Sequence, residues 1–519
     1  MKKLRDTWGS RIGIIMAVAG SAIGLGNFLR FPAKAAANGG GAFLIPYLIS
    51  FLLLGLPLMW IEWTLGRFGG GFGHGTAPGI FHSIWEKNRF IRYFGVIGIF
   101  GPIVILAYYT FIESWTLGYS FFALTGQLAG LKDQVALQGF LSGYQGLSTG
   151  GPFNGLGWAY LFFTATFAIN MFVVYHGIKG GIERLCQWAL PLLFGCALIL
   201  LIRVLLLGTP DPTKPDWNIM NGLGYLWNPD FSALLSGKVW LEAAGQVFFT
   251  LSVGIGVILT YASYLKKGDD VALSGLTAAS TNEMTEVILG GTIIIPAAFV
   301  FFGPNDIQTI AQGGIFNLGF VTMPMILNQL PWAIFFTFLW FFLLFLAGVT
   351  SSVSLAQPAI AFLEDEFNID RKRAVGIFAA ATFVLCQPAI FFLKNGVVDE
   401  LDFWGGTFFL VIFGLIEVIL FAWVLGMNNA WDEVHKGADM RIPRIYKFII
   451  KYITPTFLFA ILGTWLVQEW IPIILMKNVT DTNRPYALAT RIGLIAVFGI
   501  LALLVRIAWR RKNTEGGRS

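Results

Sequence analysis

Oxygen-bearing side chains stand inside long apolar stretches at Asn27, Glu62, Glu113, Thr250, Asn282, Glu286, Thr350, Ser351 and Glu417. Polar and ionisable groups are costly in hydrocarbon and default to functional roles wherever a segment spans a membrane. Amide, hydroxyl and carbonyl oxygens are also the ligands that a hard cation such as Na⁺ prefers to imidazole or thiolate. Imidazole and thiolate sets are lacking. His74, His82, His176 and His435 share no ligand spacing, and Cys186, Cys196 and Cys386 sit singly in apolar segments as small fillers. No nucleophile–base pair or metal set occurs at usable spacing, so an enzyme is not expected.

Each of these polar residues also has a bland role open to it. Glu62 reads as a group that bonds unwound backbone, Glu113 and Glu417 as members of packing or hydrogen-bond networks. Asn282 and Glu286 stand one helical turn apart and share a face, which suits an ion site. The hydroxyls of Thr350-Ser351-Ser352 and Ser354 either bond back to their own helix or face an ion. Tyr108-Tyr109 and Phe248-Phe249 either pack or close over a ligand.

The elements that must position these groups are unusual. The apolar segment 12–35 is interrupted by Gly20-Ser21-Ala22-Ile23-Gly24-Leu25-Gly26-Asn27, and the segment 238–265 by Ser252-Val253-Gly254-Ile255-Gly256. Each glycine costs a helix about 1 kcal/mol relative to Ala. Irregular backbone is not tolerated against lipid, so protein or ligand must satisfy the freed groups. Half-helix N-termini offer N–H groups to a carboxylate, and half-helix C-termini offer carbonyls to a cation. One break can therefore hold both ends of an amino acid. Two such breaks in distant parts of one chain point to a transporter site.

The 519 residues are 56% hydrophobic and only 12% charged, too little charge for the surface of a soluble protein. The net charge of +6 does not indicate nucleic acid, because the basic residues fall in short loops between apolar runs. The expectation is an all-α polytopic membrane protein of about twelve transmembrane helices. The spans are read at 11–36, 41–68, 89–124, 158–176, 185–207, 238–266, 272–302, 332–366, 371–392, 397–424, 444–472 and 485–508. Clusters such as Arg371-Lys372-Arg373 and Arg510-Arg511-Lys512 fall on one side, sparser Lys132, Lys214, Lys394 and Lys477 on the other. That asymmetry places both termini in the cytoplasm. Lys2-Lys3-Leu4-Arg5 is basic, and no cleavable signal is expected there. The loops 125–157 and 303–331 are read as external lids, the second folding back as short helices. A single-channel pore would need a continuous polar path, yet the polar residues cluster near mid-depth.

The division expected is a segment 1–10, a first five-helix repeat 11–207, a second inverted repeat 238–424, two extra helices 444–508 and a tail 509–519. It rests on span count and on the breaks falling in the first and sixth spans.

The chain resembles the neurotransmitter:sodium symporters, in particular their bacterial leucine-transporting members, over nearly its whole length. The resemblance is carried by GLGNFLRFP (24–32), NGGGAFLIPY (38–47), GLPLMWIEWTLGR (55–67), FIESWTLG (111–118), GQVFFTLSVGIG (245–256), LTYASY (259–264), NEMTEVILGG (282–291), AGVTSSVSLAQP (347–358) and DFWGGT (402–407). It implies the leucine-transporter-like fold, with helices 1 and 6 broken at mid-membrane, and sodium-coupled uptake of a neutral apolar amino acid. It further implies two Na⁺ sites, a bacterial cytoplasmic membrane and a homodimer as the assembly to test.

By the same resemblance, one Na⁺ site takes carbonyls of Ala22 and Thr250 with side chains of Asn27, Thr250 and Asn282. The other takes carbonyls of Gly20, Ile23 and Ala347 with hydroxyls of Thr350 and Ser351. The substrate pocket is implied at Ser21, Ala22, Gly24, Leu25, Gly26, Ile105, Tyr109, Phe249, Thr250, Ser252, Ile255, Ser351 and Leu355. Tyr109 and Phe249 resemble an outer lid beneath an Arg30–Asp402 pair. Arg5 with Asp365, and Trp8, Ser263 and Tyr264, resemble an inner gate.

Three departures qualify the resemblance. Monoamine-transporting members carry Asp where this chain has Gly24, which disfavours an amine without a carboxylate. Chloride-dependent members carry Ser where this chain has Glu286, so a built-in carboxylate implies chloride independence. Leucine-transporting members have Phe, Val, Ile and Asn at Ile255, Ile105, Leu355 and Ser21, which opens the pocket at one wall and narrows it at another.

Overall fold

Backbone in hydrocarbon must satisfy its own hydrogen bonds, and apolar segments of this length do so as helices. The computed structural model describes residues 6–148, 152–229, 231–312 and 314–516, and every regular element among them is helical. In chain order the long elements are α1 (Arg11–Ala22), α2 (Leu25–Ala37), α3 (Gly41–Gly70), α4 (Ile91–Leu124), α5 (Gly157–Tyr175) and α6 (Ile178–Leu205). There follow α7 (Gly237–Leu251), α8 (Val257–Ala262), α9 (Ala272–Pro304), α10 (Ala333–Phe367), α11 (Arg371–Phe391), α12 (Val397–Val424), α13 (Ile445–Ile474) and α14 (Arg484–Arg511).

Ten of these are long and apolar enough to cross a membrane, eleven when the bent pair α1–α2 counts as one span. The difference from the expected twelve lies at 238–266. That segment divides into helices of 15 and 6 residues, each too short to cross alone. The loop at 303–331 folds back as expected: Gly303 leaves the helix at φ 78°, and Ile315–Leu327 forms a short apolar helix. In the loop 125–157, Gln134–Tyr144 is helical, and Phe140 and Tyr144 pack edge-on against Tyr119 and Phe122 of α4.

Burial separates the centre from the periphery. In the most apolar stretch of α4, 94% of residues are buried, against 22% in α13 and in α14. Lipid tails are as apolar as Leu, so the centre is held by close packing and polar contacts rather than by exclusion of water. α4 and α10 form its spine, and the broken helices α1–α2 and α7–α8 lie against them.

The second break shows how tightly the sequence is fitted. Gly254 has φ 74°, and a Cβ there would stand inside contact distance of the Leu410 carbonyl of α12. Gly254→Ala should cost roughly 1–2 kcal/mol for the left-handed backbone, and more for the clash. The expected result is a clear fall in the thermal melting point of the detergent-solubilised protein. Gly195→Ala on α6, where no atom lies within 4 Å of the added carbon, should be neutral. Equal melting points for the two variants would contradict this account of the break.

Candidate substrate and ion site

The first break is narrower than the sequence suggested. α1 continues through Gly20, Ser21 and Ala22, and only Ile23 (φ −74°, ψ 92°) and Gly24 (φ −122°, ψ −164°) leave the helix, with a bend of 47°. Two residues suffice, because a helix end frees its last carbonyls and its first N–H groups whatever the length of the gap. Ile23 N–H still donates to the Ala19 carbonyl at 2.7 Å. The Ala22 and Ile23 carbonyls accept no hydrogen bond among the described residues. At the start of α2, Gly24 N–H donates to Asn27 Oδ1 (2.9 Å) and Leu25 N–H to Tyr109 Oη (3.3 Å).

The second break follows the sequence closely. α7 ends at Leu251, Ser252 (φ 53°) and Gly256 (φ 87°) take left-handed backbone, and α8 begins at Val257. Ser252 Oγ donates to the Ser21 carbonyl at 3.0 Å and so ties one break to the other. Fully buried Glu62 accepts from Gly254 N–H at 2.5 Å, the backbone-bonding role expected of it.

Two oxygen clusters flank the breaks. In the first, Asn27 Nδ2 donates to Asn282 Oδ1 (2.8 Å) and Thr250 Oγ1 (3.3 Å), and Asn282 Nδ2 donates to Thr250 Oγ1 (3.0 Å). All three side chains are buried, and the unpartnered Ala22 carbonyl belongs to the adjoining break. Asn282 Oδ1, Thr250 Oγ1 and the Ala22 carbonyl are neutral oxygens of the kind a small hard cation takes, while Asn27 here turns its Nδ2 toward the first two and its Oδ1 toward Gly24 N–H. In the second, Ser351 Oγ donates to the Ser21 (2.9 Å) and Gly20 (3.4 Å) carbonyls across the α1–α10 contact. Thr350 Oγ1 bonds back to Leu346 and Ala347 carbonyls, both at 3.1 Å. Thr350 thus bonds back to its own helix, while Ser351 reaches across to α1.

Between the breaks lies a cavity of about 50 Å³ open to the centre of a water-sized sphere, several times what one water needs. Every pocket residue expected from the sequence lines it, from Ser21 to Leu355. Asn27, Ser354, Gly406 and Leu410 line it as well. Ser354 was legible as one more hydroxyl on its helix, and its Oγ meets Ser21 Oγ at 2.7 Å. Gly406 and Leu410 gave no signal, since an apolar residue facing a cavity reads like one facing a neighbour.

The cavity is lined by main chain and hydroxyls of the two breaks together with the apolar side chains of Ile105, Ile255, Leu355 and Leu410. Phe249 closes it: a Cβ on Gly26 would stand 2.6 Å from the Phe249 ring. From the other side Arg30 lies 4.1 Å over the same ring.

The gates depart in detail from expectation. Arg30 and Asp402 make no direct ion pair; Asp402 instead accepts from Tyr108 Oη at 2.5 Å, while Arg30 stacks on Phe249. The face of an aromatic ring attracts a guanidinium, so Arg30 keeps a partner without the carboxylate. At the inner face Trp8 Nε1 donates to the Tyr261 carbonyl (2.9 Å), Ser263 Oγ to the Thr260 carbonyl (2.7 Å), and Tyr264 Oη accepts from Gln357 (2.7 Å). Arg371 joins that side, bonded to Gln357 (2.9 Å) and Glu364 (3.1 Å), the neighbour of Asp365. Arg5 lies outside the described residues.

Glu286 is fully buried and accepts from Tyr47 Oη and Gln246 Nε2, with the Thr250 hydroxyl of the Asn27–Thr250–Asn282 set also within hydrogen-bonding reach. It stands beside that set on α9 as a carboxylate already furnished with donors. Glu113 accepts from Asn170 Nδ2 at 3.0 Å, a network role. The three cysteines are buried and free, as fillers would be.

Comparison with known proteins bears on this geometry. The profile of the Sodium:neurotransmitter symporter family matches residues 5–135 and 144–507. An uncharacterized sodium-dependent transporter of Methanocaldococcus jannaschii is 30% identical over 464 residues, 88% of this chain and 89% of the relative. The sodium-dependent nutrient amino acid transporter 1 of Drosophila yakuba is 24% identical, over 88% of this chain and 77% of the relative. The crystal structure of MhsT in complex with L-phenylalanine superposes with a TM-score of 0.76 at 28% identity, covering 88% of this chain and 99% of MhsT.

Proposed function

The chain belongs to the sodium:neurotransmitter symporter family, and on that premise we propose that it takes up a neutral apolar amino acid with a pair of sodium ions and without chloride. It is a sodium-dependent, multi-pass membrane transporter of leucine-transporter-like fold, not an enzyme. The observation that carries the finer reading is one cavity bounded by two unwound main-chain segments and the Asn27–Thr250–Asn282 oxygens. No Lys, Arg, Asp or Glu lines it. A zwitterion supplies its own charges, so a site built from N–H groups and carbonyls suits it. The carboxylate goes to the N-terminus of α2 at Leu25 and Gly26, and the ammonium to the carbonyl ends of α1 and α7.

With its carboxylate beside Asn27 and Thr250, the substrate completes the shell of the first ion. Each ligand then raises the affinity of the other by the same factor. A second ion between Gly20, Ile23, Ala347, Thr350 and Ser351 joins α1 to α10 and reports its occupancy to the inner gate. Closure of Phe249 above and of Trp8 and Tyr264 below supports alternating access by rocking of the broken helices. The proposed repeats 11–207 and 238–424 contribute one broken helix each. The charge asymmetry supports both termini inside, and the resemblance to bacterial members supports a bacterial cytoplasmic membrane as the setting.

The apolar lining of the cavity sets which side chain enters. Ile255→Phe adds a ring to one wall, so the preference should move toward smaller side chains. A one-methylene change in an apolar pocket is worth about 10- to 200-fold in discrimination, and the added ring should produce at least the lower figure. A competition panel of amino acids against one radiolabelled ligand, with and without sodium, reads both the preference and the shift. An unchanged panel for Ile255→Phe would remove that residue from the pocket wall. Binding indifferent to sodium would refute the coupled reading.

A further inference from the structure

The second break rests on a pair of carboxyl groups that sodium and amino acid binding leave unused. Glu62 on α3 accepts from Gly254 N–H through Oε1. Its Oε2 and both oxygens of Glu417 on α12 meet no donor among the described residues, although both side chains are fully buried. The two carboxyls face each other within hydrogen-bonding reach. The other groups acting on the pair are the main chain at Gly254 and Leu259. No Lys, Arg or His is among the groups facing either carboxyl in the described residues.

Two carboxylates in contact in a dry interior repel each other and leave three oxygens with nothing to accept. One proton removes one charge and creates the missing donor. Glu62 keeps the acceptor role, because its Oε1 already receives an N–H. The hydroxyl therefore sits on Glu417 and donates to Glu62 Oε2. Loss of that proton would put a second negative charge beside the carboxylate that tethers Gly254. The unwound segment carrying Ser252 and Ile255 is thus tied to the state of the pair.

We propose that Glu62 and Glu417 form a proton-binding site, filled when the second break is closed and emptied when water reaches it. On opening, the proton passes from the Glu417 hydroxyl to water and both carboxylates become hydrated; on closure it returns. The inference rests on reading the cavity as an amino-acid site that closes around its ligand.

The full chain in detergent, weakly buffered and containing a pH indicator, is mixed with sodium and with L-leucine or L-phenylalanine. Binding of the tritiated amino acid is followed separately. Wild type should take up about one proton per amino acid bound. Glu417→Gln, whose amide N–H still donates to Glu62, should bind the amino acid and take up none. No uptake by wild type, or wild-type uptake by Glu417→Gln, overturns the proposal. So does uptake that vanishes in Glu286→Gln but persists in Glu417→Gln.

If neither amino acid binds, the transport reading fails by itself, and infrared spectroscopy still judges the site. The carbonyl stretch of a protonated carboxylic acid should be present in wild type at neutral pH and reduced in Glu417→Gln; an unchanged band overturns the assignment. Should Glu417→Gln not fold, Glu417→Asp withdraws the carboxyl by one methylene and must shift the pH at which the band is lost. An unshifted band counts against the site.

Discussion

Asn27→Ala should weaken sodium binding by about 10- to 100-fold, from the loss of a buried amide worth roughly 1.5–3 kcal/mol toward a charged ligand. Two separate roles end together. The amide oxygen caps the N-terminus of α2 by accepting from Gly24 N–H, and its nitrogen reaches Asn282 and Thr250. Ala offers neither group, and the site is too buried for bulk water to substitute freely. Because the substrate carboxylate is proposed to share the ion, amino acid affinity should also fall at sodium concentrations that saturate the wild type but not the variant. Thr250→Val, which keeps shape but removes the hydroxyl, should act in the same direction. Titration of sodium against amino acid binding checks both variants. A sodium midpoint that does not move would remove the first ion from the account.

Glu286→Ser should convert a chloride-indifferent transporter into one that requires chloride. The carboxylate lies among Tyr47 Oη and Gln246 Nε2, both donating to it, one helical turn from Asn282. With Ser in its place, those donors would point into a space that has lost its negative charge. A monovalent anion of chloride's size is the replacement that restores both charge and acceptor. Uptake by the variant in chloride-free gluconate medium should fall at least 10-fold relative to chloride medium, a difference of about 1.4 kcal/mol. Wild type should transport equally in both. A variant that works equally well without chloride would refute the charge-replacement argument.

Much of this site was legible because hydrocarbon makes exceptions conspicuous. An interrupted apolar run, an Asn or a buried Glu has few bland explanations there, so both breaks and the Asn27–Thr250–Asn282 set could be named from residue types and the resemblance together. The lengths of the breaks were less legible. Gly20 and Ser21 looked like part of the first gap, yet the helix persists through them, since glycines weaken a helix without ending it when neighbours supply donors such as Ser351. Pairings across the fold were not legible at all. Arg30 stacks on Phe249 and Asp402 turns to Tyr108, a pairing set by how side chains from four helices meet. The partnership of Glu62 with Glu417 depends likewise on how α3 and α12 pack around Gly254, and no spacing in the sequence encodes it.

The central claim is that the sodium gradient does work on an amino acid through this cavity. It is tested most directly in proteoliposomes containing the purified full chain, loaded with potassium and diluted into sodium medium with radiolabelled L-leucine or L-phenylalanine. The account predicts transient accumulation above the equilibrium level, abolished when sodium is equal on both sides. Uptake that proceeds to equilibrium at the same rate with or without the gradient would contradict it.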